Sequence, residues 1–208
     1  PNRNKTRFGC EIYSEDEKGN PIYDWKYADE VFDTFVDFGL KPIVECDFMP
    51  DALAEKPIVR TYSNGAINGP KDFNKWRNLI YETVKLFEEK YGQDEVRTWR
   101  FEIWNEPNLA TYWIDGRGMT DRKFKWTKER LERFLKLYDY FADGAKLADS
   151  QVKVGGPGIA GFDPDFMSIF LNHITSETNY ATGSIGSPID FISWHGYATG
   201  KELLKHNA

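Results

Sequence analysis

Residues 98–107 read TWRFEIWNEP, and this stretch decides how the whole chain is interpreted. Aromatic and β-branched residues dominate its first half, as they do in buried strands. Pro107 has no N–H with which to continue a ladder of backbone hydrogen bonds, so we predict that the strand ends there. A residue before proline favours an extended backbone, which is our expectation for Glu106. Alternation along the strand then places Glu102 and Trp104 on the same face as Glu106.

Helix-like and strand-like segments alternate on both sides of this stretch. The apolar periodicity predicts helices over residues 28–36, 73–91, 129–150 and 164–174, and strands over residues 42–50, 98–107, 152–156 and 189–197. Such alternation produces parallel strands joined by helical crossovers, so we predict an α/β fold. An open doubly wound sheet and a partial (β/α)8 TIM barrel both fit, since four strands are half a barrel and a full one needs about 250 residues.

The composition excludes several classes of protein. The 208 residues are 40% hydrophobic and 29% charged, which is ordinary for a globular domain. No stretch approaches the roughly 18 consecutive apolar residues of a membrane-spanning helix. The net charge is −6, without a concentrated Lys/Arg face, so we expect neither a membrane nor a nucleic-acid partner. Aromatic residues make up 16% of the chain, which indicates either a large aromatic core or a sugar-binding cleft.

Polar side chains gather at the carboxyl ends of the predicted strands, where parallel α/β enzymes place their active sites. Glu106 ends the second strand and His195 the last, while Glu45 and Asp47 lie near the end of the first. A carboxyl group among apolar neighbours can act as an acid near neutral pH, because burial raises its pKa. From its position alone, Glu106 is equally well explained as a solvated loop carboxylate.

Other residues in these segments have structural explanations. We predict that Glu102 pairs with an arginine and that Trp104 packs in the core. His173 lies in a predicted helix and is expected to be exposed. For Glu45 and Asp47, contacts with sugar hydroxyls and ion pairs are about equally expected.

Residues 101–109, FEIWNEPNL, followed by Trp113, resemble the acid/base strand of clan A glycoside hydrolases, with family 39 as the nearer match. Residues 48–50 (FMP), 154–157 (VGGP) and 190–197 (DFISWHGY) resemble further motifs of that family in the same order. Family 39 contains β-xylosidases and α-L-iduronidases, and Asn108-Leu109 with Trp113 favours the xylosidase branch. The resemblance implies about strands 3 to 6 of a (β/α)8 barrel that hydrolyses β-linked xylosides or related plant-polysaccharide oligosaccharides.

The resemblance also implies roles for individual residues. Glu106 matches the general acid/base, and Asn105 matches the residue that hydrogen-bonds the sugar 2-hydroxyl. His195 and Tyr197 match cleft residues near the nucleophile, and Phe48 matches an aromatic wall of the first subsite. The chemistry agrees, since retaining hydrolysis needs a carboxylic acid to protonate the leaving oxygen. The expected partner is an oligosaccharide or glycoside substrate, and neither a cofactor nor a metal is expected.

The second carboxylate of a retaining enzyme is the part of the pattern that has no match. It must lie roughly 5–5.5 Å from the first, and in this family it is a Glu that ends the seventh strand. Glu202 follows Tyr197 without a strand before it, so we do not assign it as the nucleophile. We therefore expect residues 1–208 to be a single domain, an internal fragment of a glycosidase catalytic barrel that is inactive alone.

Two other functions compete with this interpretation. A non-catalytic carbohydrate-binding barrel would need the aromatic cleft but no acid. A metal-dependent barrel hydrolase could draw ligands from Glu45, Asp47, Glu106 and His195. The second is disfavoured because the chain has 3 histidines and neither an HxH nor an HExxH pattern.

Overall fold

The structure is a computed structural model, and it describes residues 12–57, 65–117 and 124–196 of the chain. Two short antiparallel strands come first, β1 (Tyr13–Glu15) and β2 (Pro21–Tyr23). The remaining elements follow in the order α1 (Lys26–Asp37), β3 (Ile43–Cys46), α2 (Phe73–Tyr91), α3 (Gln93–Val96), β4 (Arg100–Ile103), α4 (Lys128–Ala148), β5 (Lys153–Ala160), α5 (Pro164–Ser176) and β6 (Phe191–His195).

Strands β3 to β6 form one parallel sheet in which each strand pairs with the next along the chain. Helix α2 lies in the crossover from β3 to β4, α4 in the crossover from β4 to β5, and α5 in the crossover from β5 to β6. The prediction of four parallel strands with helical crossovers is confirmed. The antiparallel β1–β2 pair was not predicted, because each of its strands is only three residues long.

Aromatic side chains form much of the core of the described residues. Burying a large apolar side chain stabilises the fold by about 1.5–3 kcal/mol relative to leaving it exposed. The buried aromatic side chains include Trp76, Phe87, Trp99, Phe101, Phe134, Tyr138, Phe141, Phe166 and Phe170. The high aromatic content is therefore largely explained by core packing, and Trp104 belongs to the same core, as predicted.

The ends of the long helices follow from residues that cap them. At the start of α2, the Asp72 carboxylate accepts hydrogen bonds from the backbone N–H groups of Asn74 and Lys75. Gly92 ends that helix with φ of +86°, as the sequence predicts. Thr127 caps α4 by accepting from the N–H of Arg130.

Within the described residues, none of the helices combines the length and apolar character needed to cross a membrane.

Strand β5 runs further than its sequence suggests. Proline and glycine after residue 156 predict a loop, yet the strand continues to Ala160 with a shift of register against β6 between Gly156 and Ile159. A bulge accommodates residues whose local preferences favour a turn. The extension carries Gly158 and Ala160 to the carboxyl end of the sheet, where the candidate site lies.

The prediction that His173 is exposed is wrong. Its side chain is 1% exposed, and it lies on the same face of α5 as Phe166 and Phe170. The imidazole Nε2 lies 2.9 Å from Asp139 Oδ2, and its Nδ1 lies 3.2 Å from Glu177 Oε2. Asp139 is 34 residues away on α4, so the local pattern of α5 did not reveal this partner.

Candidate active site

The loop after β4 carries Glu106, and its backbone differs from the prediction. The strand ends at Ile103, and Trp104 and Glu106 have φ of +58° and +49°. The expectations that Glu106 is extended and that the strand alternation reaches it are therefore wrong. A left-handed backbone at a residue other than glycine costs roughly 1–3 kcal/mol and is frequent at functional sites, where the surrounding structure enforces it.

Hydrogen bonds from neighbouring segments hold this unusual backbone. The Trp104 indole N–H donates to the carbonyl of Tyr112 over 2.8 Å, which closes the loop upon itself. The Glu106 N–H donates to the carbonyl of Gly158 on β5 over 2.9 Å. A Cβ atom on Gly158 would lie 2.8 Å from the carbonyl oxygen of Trp104, so only glycine permits this close approach.

Glu106 and His195 meet at the carboxyl end of the sheet. His195 Nδ1 lies 2.8 Å from Glu106 Oε1, although the two residues are 89 positions apart. The Glu106 carboxyl group is buried, and the His195 side chain is about one-third exposed. One proton lies between the two atoms, donated by the imidazole when Glu106 is ionised and by the carboxylic acid when it is protonated. This pair can therefore hold and transfer a proton at the rim of the sheet.

Aromatic rings surround the same end of the sheet. The half-buried Phe48 stacks against Tyr112 with ring centroids 6.0 Å apart and meets Trp104 edge-on at 5.3 Å. Asn105 is partly exposed in the same loop, directly before Glu106. Tyr197, also predicted for the site, lies outside the described residues. The structure thus brings Glu106 and His195 into contact, places Asn105 in the same loop, and places Phe48 at the same end of the sheet, against Trp104 of that loop.

Carboxyl groups cluster on the adjacent strands β3 and β4. Glu45 on β3 and Glu102 on β4 are direct partners in the strand register. The pKa of Glu45 is raised to about 7, chiefly by loss of hydration. Repulsion from Glu102 raises this pKa further, and attraction by His195 lowers it in part. Burial, then repulsion from Glu45 and Glu102, also raises the pKa of Asp47. These are the surroundings in which enzymes keep carboxylic acids protonated near neutral pH.

Two expectations about these carboxyl groups can be compared with the structure. No arginine forms an ion pair with Glu102 in residues 12–57, 65–117 and 124–196, so the predicted pair is not found there. In the same ranges, no group of three or more His, Cys, Asp or Glu side chains is arranged to hold a metal ion.

The raised pKa of Glu45 predicts how stability changes with pH. Its folded-state pKa of about 7 exceeds the ordinary value of 4.5, so its contribution to stability is complete below about pH 4.5 and is lost as the pH rises through 7. A Glu45→Gln variant should therefore match the wild type in Tm at pH 4.5 and exceed it at pH 8. Because Glu45 keeps contact with solvent, we expect about 1 kcal/mol, or roughly 2–4 °C.

Glu89→Gln, at an exposed position on α2, is the control for the Glu45 measurement and should show no such dependence on pH. Equal melting curves of the Glu45→Gln variant and the wild type at pH 8 would contradict the raised pKa.

One residue close to Glu106 was not predicted as part of the site. The Asn108 side chain is 1% exposed and forms two hydrogen bonds with Ala160 on β5. In the sequence it contributed only to the family resemblance. Its role depends on the extension of β5 past the end of β4, which the local sequence does not reveal.

Comparison with known proteins agrees with the fold and the motifs. The chain is 37% identical over 191 residues to a β-xylosidase of Geobacillus stearothermophilus and 31% identical over 133 residues to an α-L-iduronidase of Mus musculus. The first match covers 90% of this chain and 34% of the β-xylosidase, and the second covers 62% of this chain and 19% of the iduronidase. The chain therefore spans about a third or less of the length of these relatives.

Solved structures give the same result. The crystal structure of a family 39 enzyme from Xanthomonas axonopodis pv. citri superposes with a TM-score of 0.67 at 29% identity, covering 88% of this chain and 31% of that one. A β-xylosidase from Caulobacter crescentus superposes with a TM-score of 0.66 at 31% identity, covering 89% of this chain and 33% of that one. The four-stranded sheet is thus part of a (β/α)8 barrel, as predicted. The family model described as "Glycosyl hydrolases family 39" matches residues 9–207, so the chain belongs to glycoside hydrolase family 39.

Proposed function

We propose that this chain supplies the acid/base part of a retaining glycosidase that acts on β-linked xylosides. The observation that carries the proposal is the Glu106–His195 pair, which lies at the carboxyl end of the sheet within the family's motif. The identity of 37% to a β-xylosidase, against 31% to an α-L-iduronidase, supports a xyloside as the substrate.

In this proposal Glu106 acts twice. Its carboxylic acid first donates a proton to the glycosidic oxygen, so that the aglycone leaves as an alcohol while a second carboxylate bonds to the anomeric carbon. Its carboxylate then takes a proton from water, which attacks the anomeric carbon and releases the sugar. The His195 N–H stabilises the carboxylate form of Glu106 between these steps, because it donates a hydrogen bond over 2.8 Å.

Asn105 and Phe48 would bind the sugar next to this acid. Asn105 directly precedes Glu106 and offers a donor and an acceptor to the 2-hydroxyl, whose hydrogen bonds strengthen toward the transition state. The Phe48 ring, held by Tyr112 and Trp104, offers an apolar face against which a sugar ring can pack. Tyr197 remains a candidate cleft residue.

The nucleophile in this proposal lies on a strand other than β3 to β6. Glu102 lies deeper on the same strand that leads to Glu106, and Glu45 is its direct partner on β3, in the same deeper layer. Apolar side chains on the outer strand β6 support a further β/α unit beside it, because Ile192 and Trp194 are 45% and 43% exposed. We accordingly treat residues 1–208 as one internal part of a catalytic barrel.

A chimera can test this function. We define the xylosidase chimera as the Geobacillus stearothermophilus β-xylosidase in which this chain replaces the matching segment. It should hydrolyse an aryl β-xyloside with retention of the anomeric configuration, followed by proton NMR, whereas the 208-residue chain alone should show no turnover. An aryl α-L-iduronide is the control substrate and should react far more slowly.

Other outcomes would replace the proposal. Xylose binding without hydrolysis by a folded chimera would favour a carbohydrate-binding barrel. Turnover that is lost with EDTA and restored by a divalent cation would favour a metal-dependent hydrolase. Clear turnover by the 208-residue chain that disappears in Glu202→Gln would assign the second carboxylate to that residue.

A further inference from the structure

The Asn108 side chain binds the backbone of β5 in the manner of a neighbouring strand. Its Oδ1 accepts from the N–H of Ala160 over 2.8 Å, and its Nδ2 donates to the carbonyl of the same residue over 3.2 Å. A single carboxamide therefore satisfies both backbone polar groups of one residue in a part-buried place.

Ala160 needs these bonds because its neighbouring strand has already ended. The pairing of β4 with β5 stops at Glu102 and Gly155, five residues before Ala160. On the other side of β5, the N–H of Gly161 donates to the carbonyl of His195. Backbone groups alternate between the two sides of a strand, so those of residues 159 and 161 point toward β6 and those of residue 160 point toward the space beyond the end of β4. Backbone groups shielded from water are costly when they lack a partner, and Asn108 supplies a partner to both groups of Ala160.

The chemistry of this position is specific to asparagine. A carboxamide carries a donor and an acceptor with the geometry of a peptide group. Aspartate has acceptors only and would place a charged oxygen against the Ala160 carbonyl. Serine is too short to reach both groups, and alanine or leucine would reach neither.

The hydrogen bonds between Asn108 and Ala160 complete a ring of contacts around the acid/base pair. Asn108 follows Glu106 in one turn, in which the N–H of Leu109 donates to the Glu106 carbonyl. Asn108 binds Ala160, Ala160 pairs with His195 in the register of β5 and β6, and His195 contacts Glu106. The Glu106 loop and His195 are thus both tied to one short stretch of β5, Gly158 to Ala160.

We propose that Asn108 is a positioning residue that holds Glu106 and His195 at hydrogen-bonding distance. The inference deepens the proposed function, since the pair that Asn108 positions is the one assigned to proton transfer. It concerns the geometry of the pair, so it can be tested without any measurement of hydrolysis.

The test is NMR of histidine side chains in the 208-residue chain. The chain has 3 histidines, which keeps the ring ¹⁵N spectrum simple, and His195→Gln assigns the His195 signals. In Asn108→Asp we expect the exchange of the His195 Nδ1 proton with water to accelerate by about 10–100-fold, as loss of a charge-assisted hydrogen bond implies. Asn108→Ser, which introduces no charge, should change the same signals in the same direction and serves if the aspartate variant does not fold.

Asn179→Asp is the matched control. Asn179 is equally buried and also caps backbone N–H groups, those of Ala181 and Thr182, but it lies in the loop before β6 beside the Asp139–His173 pair. It should leave His195 unchanged, and any shift should appear at His173. Unchanged His195 signals in a folded Asn108 variant, or equal changes at His173 and His195, would overturn the proposal.

Hydrolysis distinguishes this inference from the function on which it rests. In the xylosidase chimera, Asn108→Asp should lower kcat about tenfold or more with little change of KM, because the sugar is bound by other residues. Altered His195 signals together with a chimera that binds but never hydrolyses xylosides would retain the positioning role and reject the glycosidase.

Discussion

Glu106→Gln in the xylosidase chimera is expected to slow hydrolysis of xylosides with poor leaving groups by about 10²–10⁴-fold, the usual contribution of a general acid. Glutamine keeps the shape of the side chain and its contact with His195 but has no acidic proton for the glycosidic oxygen. Aryl xylosides with strongly acidic phenols should lose much less in the step that cleaves the glycosidic bond, because such phenolates leave without protonation. The measurement is kcat/KM over a series of phenols of graded pKa.

Glu102→Gln is the control for this series. It alters a buried glutamate one layer below the site, so any effect through packing or local charge should be similar for every leaving group. Equal losses across the series for Glu106→Gln would show that this residue does not act as the acid.

The convergence of Glu106 and His195 is the part of the site that the sequence predicts well. The carboxyl ends of all parallel strands in a sheet lie at the same edge, so residues 89 positions apart on β6 and after β4 can meet there, across the end of β5. The hydrophobic periodicity of the sequence and its turn residues were sufficient to predict the order of the strands. Phe48 reaches the same place for the same reason, at the end of β3.

The conformation of the loop after β4 was not predictable in this way. The left-handed backbone of Glu106 opposes the local preference before proline, and it is fixed by Gly158 on another strand. Asn108 likewise has its role only because β5 continues five residues past its last pairing with β4. Such features depend on tertiary contacts that override local propensity, and these are concentrated at functional sites.

The buried ion pairs of His173 show the same limit at the other end of the sheet. Both ring nitrogens face carboxylate oxygens, Nε2 at 2.9 Å from Asp139 and Nδ1 at 3.2 Å from Glu177. A neutral imidazole has only one N–H, so this arrangement favours the doubly protonated ring. Burial lowers the pKa of His173, but the hydrogen bonds and charges of Asp139 and Glu177 outweigh it and raise the pKa above its ordinary value.

Asp139→Asn is therefore expected to destabilise the chain strongly. Asp139 is fully buried and accepts hydrogen bonds from the N–H of Tyr180, the hydroxyl of Ser187 and the His173 ring. The amide NH₂ of asparagine would place a donor against groups that themselves donate, and the substitution would remove the charge that balances the imidazolium. Removing one partner of a buried ion pair costs about 3–5 kcal/mol. Thermal melting should show a fall in Tm of roughly 6–20 °C for a chain of this size.

A second aspartate on α4 provides the matched control. Asp143 pairs with Arg77 over 3.1 Å at a more exposed place, so Asp143→Asn should cost no more than about 1 kcal/mol. Equal losses for the two variants would contradict a special role of the His173 pairs.

The dependence on pH separates the charged ring from simple packing. Because the pKa of His173 is raised in the folded state, its stabilisation is complete below about pH 6.5 and is lost as the pH rises through the raised value. The wild type should therefore lose Tm between pH 6 and pH 9, and Asp139→Asn should lose less over the same range because its ring has only Glu177 left. The difference between the two proteins should accordingly be largest at pH 6 and smallest at pH 9. A difference that stays constant with pH would mean that Asp139 stabilises the loop before β6 through its bonds to Tyr180 and Ser187 alone, with a neutral His173.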